Sequence, residues 1–243
     1  MLITSINNNH IKELYRLKQK KYRDESKTIL VETKHLVLEA YKAGLIKELI
    51  IEKNEIFPLD IKPLYVTKEI IKKLSSLETP SNIMAVVKKR EETTEIGEKV
   101  LILDKIQDPG NLGTIIRSAV AFNIDTIICS NDTVDIYNPK VVRASQGMMF
   151  HIPIIIKDTQ KIIKELKEKD YKIIGTKVTN GHDVRTASIY SHFALIIGNE
   201  GQGISKQIEE LCDEYLYIKM NENCESLNAS VAASILLYEI NNK

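Results

Sequence analysis

Three short loops hold the residues best suited to chemistry in this chain. The first is Asp108-Pro109-Gly110-Asn111-Leu112-Gly113, which follows an apolar run and leads to Arg117. A guanidinium beside the apolar stripe Ile115, Ile116, Ala119 and Val120 can bind phosphate or position a nucleophilic oxygen. Taken alone, Arg117 also fits a solvated helix position, and Asn111 a simple helix cap. The second loop is Gly198-Asn199-Glu200-Gly201-Gln202-Gly203, ending at Ser205. Its glycines let backbone approach a ligand closely, and Glu200 is its one charge. The order G-x-x-G-x-G is neither the dinucleotide fingerprint nor a phosphate-binding P-loop, which argues against a nicotinamide oxidoreductase but leaves a nucleotide-type ligand open. A tight turn capped by Ser205 is the plainer alternative. The third is Glu225-Ser226-Leu227-Asn228-Ala229-Ser230, before a run of small residues. Ser226 and Asn228 suit a helix start, and no G-x-S-x-G elbow makes Ser226 a hydrolase nucleophile.

Each loop comes after a short apolar run rich in β-branched residues. The runs predict strands at 100–103, 126–129, 152–156, 172–175, 194–197 and 215–218. Helical patterns fill most gaps, at 112–122, 139–146, 159–169, 205–211 and 227–240. Buried strands alternating with amphipathic helices predict a mostly parallel sheet covered on both faces. Ligands of such sheets bind beyond the C-terminal strand ends, where all three loops fall. Upstream, a smaller α/β unit is expected. It has a basic helix over 9–22, strands at 28–31, 46–52, 64–66 and 83–87, a helix over 35–43, and a helix from a Thr67 cap through Leu77. The polar, aperiodic stretch 91–99 reads as a linker, giving a domain over 1–90 and another over 100–243.

Charge follows that division. The net charge of +1 hides 18 Lys+Arg against 11 Asp+Glu in residues 1–90, and 16 against 22 in the remainder. A basic first part suits a polyanion such as RNA. Only six of the basic residues are Arg, so a lysine-rich composition accounts for the same numbers. The chain has no apolar run near the ~20 residues that span a bilayer, and its N-terminus is not a secretory signal. Three widely spaced cysteines, Cys129, Cys212 and Cys224, fit packing roles in a reducing, cytoplasmic setting. The His and Cys show no metal-ligand spacing, so no metal is expected.

Together, the three loops closely resemble the three motifs of the SpoU/TrmH family of RNA ribose 2′-O-methyltransferases in the SPOUT superfamily, in the same order. The resemblance covers about residues 100–243. Residues 1–90 resemble, less closely, that family's N-terminal substrate-binding domain, a small ribosomal-protein-like α/β fold. The resemblance implies a SPOUT-type α/β catalytic domain with a C-terminal trefoil knot whose loops bind S-adenosylmethionine. It assigns cofactor contacts to Thr176, Gly198, Asn199, Ile218, Met220 and Leu227. It assigns catalytic roles to Arg117, Asn111, Glu200, Ser226 and Asn228. It also implies a homodimer, an RNA substrate and no metal. The two-part organisation favours ribosomal RNA. A transfer RNA 2′-O-methyltransferase and a non-catalytic RNA- or ribosome-binding factor are the alternatives. Three positions depart from the family pattern: Thr33 and Glu222 stand where glycines are common, and Lys219 where a proline is.

Overall fold

A computed structural model describes residues 1–91, 93–188 and 190–243. Glu92, inside the expected linker, and Ile189 lie outside the described residues. The strands are β1 (Leu2–Ile3), β2 (Thr28–Glu32), β3 (Ile46–Glu52), β4 (Leu64–Val66), β5 (Ile83–Lys88), β6 (Lys99–Leu103), β7 (Thr126–Cys129), β8 (Ile154–Ile156), β9 (Lys172–Thr176), β10 (His182–Asp183), β11 (Phe193–Ile197) and β12 (Glu214–Tyr217). The helices are α1 (Asn9–Arg16), α2 (Lys20–Ser26), α3 (Lys34–Lys42), α4 (Lys68–Leu74), α5 (Pro109–Ala121), α6 (Pro139–Ala144), α7 (Thr159–Lys167), α8 (Lys206–Glu209) and α9 (Ala229–Asn241).

The strands form two sheets. A five-stranded sheet runs β1-β4-β3-β5-β2, and a seven-stranded sheet runs β10-β12-β9-β11-β6-β7-β8. All pairings in the second sheet are parallel, as continuous apolar strands buried on both faces require. One cluster of buried side chains joins the two sheets: Leu36, Val37 and Ala40 of α3 belong to it with Val142, Met149 and Phe150. Polar contacts tighten the same seam. Arg23, 4 % exposed, pairs with Asp135. His151 Nε2 lies 2.8 Å from Glu39 Oε2, and Arg143 donates to Ser76 Oγ at 2.9 Å.

Several local expectations are corrected. The basic helix over 9–22 is two helices, with α1 capped at Leu17 and α2 starting after Gln19. The break has a cause in the chain itself: Arg23 Nη1 donates to Leu17 O and Lys18 O, satisfying carbonyls freed at the end of α1. Thr67 makes no side-chain cap, and α4 stops at Leu74 rather than Leu77. Ser75 and Ser76 leave the helix because their hydroxyls donate to the buried Glu32 carboxylate, each at 2.5 Å. The strand predicted from Ile152 begins at Ile154. The two-residue strands β1 and β10 carry too short a pattern to be read.

Thr33 has φ +94° and ψ 144°, a region open to glycine and strained for a side chain. Its hydroxyl accepts from Leu36 N at 3.4 Å, a long cap. Strain there outweighs the weak cap and the extra chain entropy of glycine. Thr33→Gly should therefore raise stability by about 1 kcal/mol, read as a higher urea midpoint. A lower midpoint would show the cap to dominate.

Candidate active site at the C-terminal strand ends

The first loop leaves β6 and starts α5. Asp108, not Asn111, is the helix cap: its Oδ1 accepts from Asn111 N at 2.8 Å. Asn111 sits inside the helix, 9 % exposed, with its amide free to reach sideways. Asn111 Nδ2 donates to Glu200 Oε1 at 3.0 Å, and its Oδ1 accepts from Asn228 Nδ2 at 2.9 Å. Asn228 caps α9: its Oδ1 accepts from Ser230 N at 2.9 Å and Val231 N at 3.3 Å. The helix amides thus fix which way Asn228 faces. Asn228 fixes Asn111, and Asn111 presents N–H to the carboxylate. Three loops distant in sequence become one polar chain.

Glu200 closes the two motif loops on each other. Gln107 N and Asp108 N also donate to it, at 3.3 and 3.2 Å. Desolvation pushes its carboxyl up, but the donors from Asn111, Asp108 and Gln107 outweigh that and hold it below the ordinary glutamate value. An ionised, fully donated carboxylate is a weak base and a strong staple. Asn111→Asp would set a second carboxylate against it, so the pair would bind a proton more tightly when folded than when unfolded. Stability added by that proton is lost as pH rises. The variant should therefore lose about 2 kcal/mol more at pH 8 than at pH 5, measured by urea denaturation against wild type. An equal loss at both values would contradict the carboxylate contact.

The second loop is a tight turn, though Ser205 forms no side-chain cap on α8; its N–H instead donates to Asp104 Oδ2 at 2.9 Å. Asn199 and Gly203 exchange both backbone hydrogen bonds at 2.9 Å, with Gly203 at φ +69°. The Asn199 side chain holds this shape: Oδ1 accepts from Gly201 N and Gln202 N at 2.9 and 3.1 Å, and Nδ2 donates to Lys105 O at 2.9 Å.

Beside the polar chain lies a cavity of about 380 Å³. All six positions expected at a cofactor line it: Thr176, Gly198, Asn199, Ile218, Met220 and Leu227. Glu200 and Ser226 also line it, whereas Asn111, Arg117 and Asn228 do not. Arg117 is exposed on α5 and makes no hydrogen bond or ion pair among the described residues. Ser226 is exposed as well. The sequence reading missed two charged wall residues, Lys177 and Glu209, paired at 3.4 Å. Lys177 directly follows Thr176 at a strand end, a signal that was available. Glu209 is the last residue of α8 and gave none. Of the cysteines, Cys129 is buried with its thiol pushed up to about 12 by burial, but Cys224 is exposed, its Sγ donating to Ser226 O at 3.4 Å. No group of three or more His, Cys, Asp or Glu among the described residues is placed to hold a metal. No described helix is long and apolar enough to cross a membrane.

Comparison with known proteins accounts for this arrangement. The model of the SpoU rRNA Methylase family matches residues 98–238. This chain belongs to that family. The MRM3-like substrate binding domain matches residues 8–85. The 23S rRNA (guanosine(2553)-2′-O)-methyltransferase RlmP of Bacillus subtilis (strain 168) is 37 % identical over 243 residues, covering 98 % of each chain. Among solved structures, an AdoMet-bound rRNA methyltransferase from Sinorhizobium meliloti matches with TM-score 0.88 and 28 % identity, covering 100 % of this chain and 97 % of its own. An RNA 2′-O ribose methyltransferase matches with TM-score 0.85 and 28 % identity over 99 % and 98 %. The α/β architecture read from alternating strands and helices is that of the SpoU/TrmH methyltransferase structures.

Proposed function

We propose that this protein methylates a ribose 2′-hydroxyl of ribosomal RNA, with S-adenosylmethionine as methyl donor and a guanosine of the large-subunit RNA as target. The observation that carries the reading is the polar chain Asn228–Asn111–Glu200 beside the 380 Å³ cavity, in a chain of the SpoU family. The cavity fits a nucleoside. Ile197, Leu216, Ile218 and Leu227 form apolar walls, and the backbone of the 198–203 turn offers polar groups at one end. Bound there, S-adenosylmethionine supplies an electrophilic methyl group.

The protein's own residues supply position and charge. Methyl transfer needs the attacking oxygen held in line, so much of the rate comes from placement. Arg117 is the only Arg of the three motif loops, and a guanidinium in solvent stays protonated and is a poor base. Its role in this reading is to hold the RNA and stabilise the oxyanion that develops on the ribose. Glu200 and Asn111 fix the loop that starts its helix, Ser226 stands at the cavity wall, and Asn228 orients Asn111. We further infer a trefoil knot in the C-terminal part and a division into an RNA-binding unit over 1–90 and a catalytic unit over 100–243. A cytoplasmic location follows from a ribosomal substrate. A homodimer is supported by an open apolar stripe on α9. Val231 is 45 % and Tyr238 53 % exposed, with Ile235 between them at helical spacing.

The test is transfer of labelled methyl from S-adenosylmethionine to unmodified 23S rRNA, 16S rRNA and transfer RNA, with sites read by resistance of the adjacent phosphodiester to alkali. Incorporation at one 2′-oxygen of 23S rRNA is expected. Incorporation only into transfer RNA, or cofactor binding without transfer to any ribosomal RNA or particle, would overturn the reading.

A further inference from the structure

A second and larger cavity lies beside the candidate active site. β6, β7 and β8 are parallel and in register, with Leu103 opposite Cys129 and Cys129 opposite Ile156. Their C-terminal ends therefore form one edge. The Asn111–Glu200 contact stands beyond the end of β6. Beyond β7 and β8 lies a cleft of about 840 Å³. Strands lie about 4.8 Å apart, so β8 is about 10 Å from β6 along this edge. Ile154 and Ile156 of the outermost strand line the cleft, with Ile156 52 % exposed. Lys20 and Lys27 at either end of α2, together with Lys89 and Arg90, also line it.

The wall between site and cleft is shared. Lys105 N donates to Ser130 Oγ at 2.9 Å, Gln107 Nε2 donates to Asp132 O at 2.5 Å, and Asp135 pairs with Arg23 of α2. The loop 130–137 thus ties the first motif loop to α2. The cations differ in availability. Lys20 and Lys89 both pair with Asp24, at 2.8 and 2.5 Å, and Arg90 donates to Phe150 O at 2.7 Å. Lys27 and Lys157 have no ion pair among the described residues. Asp24, Glu91 and Asp135 also line the cleft, so its excess of positive charge rests on those two lysines.

We propose that this cleft holds the unpaired RNA strand that flanks the methylated nucleotide, with Lys27 and Lys157 against its phosphates and its bases over Ile154 and Ile156. This rests on the RNA methylation reading above. Cations at the rim with an apolar floor suit a single strand, whose bases are free to lie on protein; a duplex hides its bases. The shared edge runs from the cleft to the Asn111–Glu200 contact, where the motif loops meet.

The test uses the whole protein, an unmodified 23S rRNA transcript, and the variant Lys27→Asn/Lys157→Gln. Asn suits the left-handed backbone of Lys27, φ 53°. Two lost phosphate contacts should weaken transcript binding about tenfold at 0.1 M salt and reduce the slope of log Kd against log salt by about 1.4. Affinity for S-adenosylmethionine and thermal midpoint should be unchanged. Lys164→Gln/Lys169→Gln removes the same charge near the opposite edge of the sheet and should leave the slope unaltered. An unchanged slope in the cleft variant, or an equal change in the control, overturns the proposal. A wild type that binds S-adenosylmethionine but not the transcript removes the RNA reading itself.

Discussion

Arg117→Ala is expected to lower the rate of methyl transfer about a thousandfold while leaving S-adenosylmethionine affinity within twofold. The size follows from removing one donor aimed at developing charge, which costs roughly a hundredfold to a thousandfold. The separation from cofactor binding follows from position: Arg117 does not line the 380 Å³ cavity and contacts no residue that does through a hydrogen bond or ion pair. Arg117→Lys keeps the charge but loses the planar fork, so it should recover only a few per cent of the rate. Single-turnover transfer and calorimetric titration of the cofactor check both halves. Full activity in Arg117→Ala would remove the residue from the chemistry. Equal loss of rate and cofactor affinity would make it a structural residue.

The second large effect falls on the loop 198–203, which lines the 380 Å³ cavity. A Cβ on Gly198 would stand 2.2 Å from Gly203 C, 2.3 Å from Ile204 N and 2.4 Å from Gly203 O. All three are backbone atoms, and no rotamer change relieves them. Gly198→Ala must therefore open the Asn199–Gly203 turn that forms one wall of the cavity. S-adenosylmethionine binding should weaken more than a hundredfold, with about 3 kcal/mol lost from stability. Gly201 is the internal control, since its added Cβ would meet nothing closer than Asn199 Oδ1 at 3.7 Å. Gly201→Ala should bind the cofactor within a few fold of wild type. If the two variants behave alike, close backbone approach at Gly198 is not what builds the cavity.

Six of the seven strands in the larger sheet were legible, β10 being the exception, because parallel strands buried on both faces are short apolar runs, as at Thr126–Cys129. Helix starts were less so. Asp108, Asn111, Ser205 and Thr67 all have the chemistry of caps, and only Asp108 among them forms a side-chain cap bond. Cap propensity is a local preference, and distant partners decide whether it is used. Asn111 is diverted by Glu200 and Asn228, and Ser75 and Ser76 by Glu32. The basic helix 9–22 read as continuous because its apolar spacing persists through Leu17; Arg23 then takes the carbonyls at the break.

By itself the sequence determined the order of the longer strands and helices, apart from the break between α1 and α2, together with the three loops at strand ends and the resemblance those loops carry. These depend on periodicity and residue type over a few positions. Only the tertiary structure decided that Asn111 bridges Glu200 and Asn228, contacts 89 and 117 residues apart in sequence. It alone set Thr33 in a strained backbone, gave the cavity its charged wall of Lys177 and Glu209, and laid a basic cleft along the same edge as the site. Each of these depends on which strands become neighbours in the sheet. Strand order follows from how the whole chain buries its apolar surface, and no short window of residues contains it.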